Sequence, residues 1–121
     1  MSQFLMSHNL EERTAIFGEA VIGLCKTVKR DVITVPIIGQ LVRSGTSIGA
    51  NYMEANGASS RKDFRNKIFI CKKESQETKH RLRMIDQYTP ENKADIKKLL
   101  LECQELIMIF QKITSTLREN W

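Results

Sequence analysis

Two carboxylates and an amide raise the first chemical question: Asn51, Glu54 one helical step beyond it, and Glu74 a further 20 residues along the chain. Paired carboxylates can serve as general acid and base when a fold brings them together. For Glu54 and Glu74, however, no histidine, serine or cysteine stands at a recognisable catalytic spacing. His8 lies near the start of the chain and His80 inside a basic run, on what reads as a solvated face. The cysteines Cys25, Cys71 and Cys103 are odd in number, far apart and without a CxxC pair. They read as reduced, buried small side chains, a simpler account than a zinc site or a nucleophile. The expectation is a protein that is not an enzyme and holds no cofactor or metal.

Charge is more informative once it is located. The chain of 121 residues carries a formal net charge of +5. Residues 61–86 hold nine Lys or Arg against four acids, while the rest of the chain balances ten against ten. The whole excess therefore sits on one segment, with Arg61, Lys62, Arg65, Lys72, Lys73, Lys79, Arg81 and Arg83 as candidates to contact phosphate or an acidic surface. A solvated basic face that contacts nothing specific is the plainer alternative.

The stretch RSGTSIGANYMEA, residues 43–55, combines poor helix formers with awkward polar groups. Each interior glycine weakens a helix by about 0.8–1.0 kcal/mol relative to alanine. Yet Arg43, Ser47, Asn51 and Glu54 fall within about 80° of one another on a helix. Gly45 and Gly49 form a GxxxG pair that lets another backbone come close. A polar seam of this kind needs partners where it is buried, because an unpaired polar group costs about 1–3 kcal/mol. Lys67, Glu74 and Arg81, spaced by sevens, are candidates to supply them. Such a network sets the register of two packed helices, or else takes part in binding.

The elements that must position these groups are helical. One domain spans the chain, which is long enough for one core. Asn9 with Glu12 resembles a capping box and opens a helix over about 9–30. DVITVP reads as an extended connection, with no helix before Val35 and Pro36 in a first turn. A second helix then runs over about 36–56, ending at Asn56-Gly57. Ser60 with Asp63 starts a third over 60–87, and Pro90 a fourth over 90–118. Ile96, Leu99, Cys103, Leu106, Phe110, Ile113 and Leu117 form a strict stripe along this last helix. The fold expected is all-α, an antiparallel up-and-down four-helix bundle. Ala15, Ile16, Ile22, Leu101, Met108 and Ile109 lie off the core stripes, as on helices buried on a second side against another subunit, or as on the broad core-facing stripes of a monomer. No apolar run approaches the ~18 residues of a membrane span, and MSQFLMSHNLEER lacks the features of a secretory leader, so a cytoplasmic setting without membrane contact is expected.

The second and third helices resemble the family of 23S rRNA intervening-sequence proteins. Arg43, Ser44, Ser47, Ile48, Asn51, Glu54 and Ala55 match one segment; Asp63, Phe64, Lys67, Lys73, Glu74 and Glu77 match the other. Cys71 replaces a usual alanine, and Arg81 stands where many members carry tryptophan before Leu82. The match covers about residues 36–85. The resemblance implies a four-helix bundle that assembles as a homo-oligomer, a pentamer with a central channel. Similar accessory proteins of diversity-generating retroelements bind nucleic acid and associate with a reverse transcriptase, so the resemblance implies these as partners. It implies no enzyme. The family name records a gene location, not an activity.

Two functions then compete. One is a non-catalytic oligomer binding structured RNA or DNA, RNA favoured, through the basic stripe and by shape rather than sequence. The other is a scaffold or accessory subunit that docks an acidic protein. Beyond Phe64 and Phe69 the segment offers no aromatic groups for base stacking, which argues against sequence-specific reading of single strands.

Overall fold

The computed structural model describes residues 9–120, with side chains as far as Arg118. His8 lies outside the described residues. Leu10, Phe17, Val21 and Leu24 recur on one face of the first helix, α1, Leu10–Thr27, and all four are buried. Asn9 occupies the N-cap, but its side chain makes no capping hydrogen bond, so the expected Asn9–Glu12 box does not form. The helix also stops three residues early. Thr27 Oγ1 donates to the Leu24 carbonyl at 2.8 Å and accepts from Asn92 Nδ2 at 2.9 Å, and Val28 turns inward in extended geometry.

The second helix, α2, spans Thr34–Asn56 and so begins before Val35, contrary to the expectation drawn from Pro36. Asp31 is the reason. Its carboxylate accepts from the amides of Ile33 and Thr34 at 2.9 and 2.8 Å, satisfying donors that a helix start leaves unpaired. In return Thr34 Oγ1 accepts from the Asp31 amide and donates to the Lys29 carbonyl. The two amide bonds, that of Thr34 foremost, hold the Asp31 carboxyl below its ordinary range. The helix ends at Asn56, with the Gly57 amide donating to the Glu54 carbonyl.

Ser60 caps the third helix, α3, Arg61–Asp86, by accepting from the Asp63 amide at 3.0 Å. Pro90–Asn92 forms a single 3₁₀ turn, after which the fourth helix, α4, runs Lys93–Asn120. Each helix packs beside its chain neighbours, and α1 closes against α4. That is the order of an up-and-down four-helix bundle, and no strand occurs among the described residues. Ile48, Ile68, Leu82, Ile96, Leu106 and Phe110 are fully buried in its core. No described helix is long and apolar enough to cross a membrane.

The glycine pair of α2 faces α1. A Cβ placed on Gly45 would sit 3.0 Å from both γ-carbons of Val21, and one on Gly49 would sit 3.2 Å from Thr14 Oγ1. These glycines offset their weak helix propensity by letting the two helices approach. On the other side of α2 the seam with α3 is polar to its centre, where the buried hydroxyls of Ser44 and Thr78 lie 2.9 Å apart.

Candidate nucleic-acid interface on the third helix

At 100° per residue, Arg61, Arg65, Lys72, Lys79 and Arg83 fall within about 40° of one another on α3. This flank faces α4: Lys79 Nζ donates to Gln104 Oε1 at 2.6 Å, and the guanidinium of Arg118 lies 5.7 Å from the Phe69 ring centre. Lys62 and Lys73 point straight outward, both exposed. Lys73 Nζ lies 3.8 Å from Glu74. Among the described residues, Lys62, Lys72 and Arg83 make no side-chain hydrogen bond or ion pair.

Arg81 belongs to the opposite flank, toward α2. It donates to Gln40 Oε1 at 2.7 Å and to Glu77 at 3.2 Å, so much of its fork is already occupied. The eight basic candidates therefore divide into an α4-side row, an outward pair and one arginine committed to the α2 seam.

Along that seam the six polar candidates pair mostly across the two helices. Lys67 Nζ meets Glu54 at 2.8 Å, which raises the lysine's proton affinity. Arg43 reaches Glu74 at 3.4 Å and Glu77 at 3.3 Å. Asn51 and Ser47 instead bond within α2, Asn51 to the Ser47 carbonyl and Ser47 to the Ser44 carbonyl. Glu54 and Glu74 are held by different cations, Lys67 on one side and Arg43 with Lys73 on the other. The seam is thus a ladder of ion pairs inside one subunit.

Several partners had no expectation attached. Glu77 bridges Arg43 and Arg81, and these bonds, Arg81 first, hold its carboxyl below the usual glutamate range. Its i,i+4 spacing from Arg81 was the available signal. The Arg13 fork, which joins α1 to Glu102 at 2.7 Å and to Glu105 on α4, had none, because its partners lie 89 and 92 residues away. The cysteines are buried as expected. Burial pushes the Cys25 thiol up to about 11 and those of Cys71 and Cys103 to about 12. Among the described residues no group of His, Cys, Asp or Glu gathers with metal-ligand geometry.

Helix order, the α2–α3 ion-pair ladder and the basic third helix define a small helical-bundle protein. The sequence profile of the 23S rRNA-intervening sequence protein family matches residues 11–112, and the chain belongs to that family. A crystal structure of a protein of unknown function, assigned to the S23 ribosomal protein family and from Bacteroides thetaiotaomicron, is similar to it. The identity is 30%, covering 86% of this chain and 96% of that one, with a TM-score of 0.76. No functionally curated protein matches the chain.

Proposed function

We propose that the chain is a non-catalytic, homo-oligomeric bundle of the cytoplasm that binds nucleic acid, RNA in preference to DNA, through the α4-side and outward rows of α3. The observation that carries this reading is the unspent charge there. Lys62, Lys72 and Arg83 have no acidic partner among the described residues, whereas the arginines of the α2 seam are engaged. Such cations displace counterions from a phosphate backbone and so give binding that depends on salt rather than sequence. Oligomerisation multiplies the surface. Leu101 and Met108 on the outward side of α4, 61% and 60% exposed, and Ile16 on α1 are apolar groups suited to a second subunit.

A titration of a labelled RNA stem–loop and a matched DNA duplex at several salt concentrations tests the reading, with sedimentation measured in parallel. Steep loss of affinity with salt, deepened by Lys62→Glu, Lys72→Glu and Arg83→Glu together, is the expected result. Absence of binding at low salt sinks it. The same exposed apolar residues favour the second reading, a scaffold whose basic face docks an acidic protein, and sedimentation as an oligomer without nucleic-acid binding is its signature.

A further inference from the structure

We propose that Arg65 and Arg118, gathered on the ring of Phe69, form a site for a phosphoryl group, and that its occupant is a backbone phosphate of the nucleic acid invoked above. The inference rests on that reading and narrows it to one place between the start of α3 and the end of α4.

Three other arginines of the bundle spend their donors on acceptors: Arg13 on Glu102 and Glu105, Arg43 on Glu74 and Glu77, Arg81 on Glu77 and Gln40. Arg65 and Arg118 are held differently. Their guanidinium carbons lie 5.9 and 5.7 Å from the centre of one phenyl ring. Neither meets a carboxylate among the described residues. The distinction matters chemically, because a ring attracts a cation through its face and consumes none of the five N–H donors. Phe69 therefore orients two forks while leaving them unspent.

Two further features favour an anion here. The Nε of Arg65 is shielded from solvent and donates to no acceptor. Two like charges drawn to one ring also repel each other, and an oxyanion beside them relieves that repulsion. Planar forks suit the geometry of a phosphoryl group better than ammonium groups do. Lys72 lies on the same flank of α3 and continues the positive row along which a backbone can run.

The test compares wild type with Arg65→Gln/Arg118→Gln, with Arg65→Lys/Arg118→Lys, and with Lys97→Gln/Lys98→Gln, a control of equal charge change on α4. Circular dichroism confirms that each variant is helical. The glutamine pair is expected to weaken RNA stem–loop binding roughly tenfold or more and to flatten the salt dependence by about one neutralised phosphate. The lysine pair keeps the charge, loses the fork, and is expected to fall between the two. Equal losses in the glutamine and control pairs, or a lysine pair as tight as wild type, overturn the site and leave the broader nucleic-acid reading standing. If wild type binds neither RNA nor duplex DNA, that broader reading fails and inorganic phosphate decides the site alone. A Tm raised by phosphate over chloride at equal ionic strength, in wild type but not in the glutamine pair, keeps it as a site for the free anion. No such shift overturns it.

Discussion

Gly45 of α2 and Val21 of α1 stand so close that a methyl group on the glycine would lie 3.0 Å from both γ-carbons of the valine. Val21 is fully buried and stiff about χ1, so it has little room to yield. The glycine is therefore required by a neighbour and not by its own backbone.

Gly45→Ala should destabilise the bundle by about 1–3 kcal/mol, the usual cost of overpacking, despite the gain in helix propensity. Gly23→Ala, on α1 where an added Cβ meets nothing within 4 Å, should instead stabilise by about 0.8–1.0 kcal/mol. Urea unfolding of the two variants measures both, and Val21→Ala in the Gly45→Ala background should restore part of the loss.

The α1–α4 seam is the sparsest between neighbouring helices, and Arg13 is its principal polar tie. Arg13→Met removes charge-assisted bonds to Glu102 and Glu105 while keeping the aliphatic stem. A loss of about 1.5–3 kcal/mol is expected. Hydrogen exchange should show α1 opening first, with α2 and α3 still protected.

Acid should weaken the fold. Glu77 and Asp31 titrate lower in the folded state than their ordinary values of 4.5 and 3.8. The unfolded chain consequently binds more protons as pH falls through those values. The stabilisation is present above about 4.5 and disappears as pH drops through the folded values. Denaturant midpoints measured from pH 7 to pH 3 should fall, and Glu77→Gln should make the decline shallower.

The thiols act at the other end of the scale. Burial raises Cys71 and Cys103 from 9.0 to about 12, so the unfolded chain loses protons first as pH rises. Stability conferred by the neutral thiols is intact below about 9 and is lost progressively toward 12. All three cysteines should resist a thiol reagent at pH 8 in the native protein and react promptly in denaturant. Fast native labelling of Cys71 or Cys103 would contradict their burial.

Local signals sufficed where one segment's own chemistry decides the outcome. The stripe Ile96, Leu99, Cys103, Leu106 and Phe110 is periodic because one face of α4 is buried, and Ser60 caps α3 through an amide three residues away. The gathering of basic residues between 61 and 86 was also legible, since counting charges needs no coordinates. Other local signals mislead: Asn9 leaves its box unmade, and Asp31 starts α2 ahead of the position Pro36 suggests.

Lys67 and Glu74 were legible as seam partners from their heptad spacing, but which charge each one meets was decided by tertiary structure. Arg43, Glu74 and Glu77 meet because α2 and α3 lie side by side in one register. The same register assigns Arg81 to the α2 seam while Lys72 stays on the opposite flank of its own helix. Arg13 finds Glu102, and Arg118 finds Phe69, only when the fourth helix folds back along the first and third. Helical periodicity determines which face of a helix a residue occupies, but a charge's partner depends on which helix that face meets and at what height, and that follows from packing.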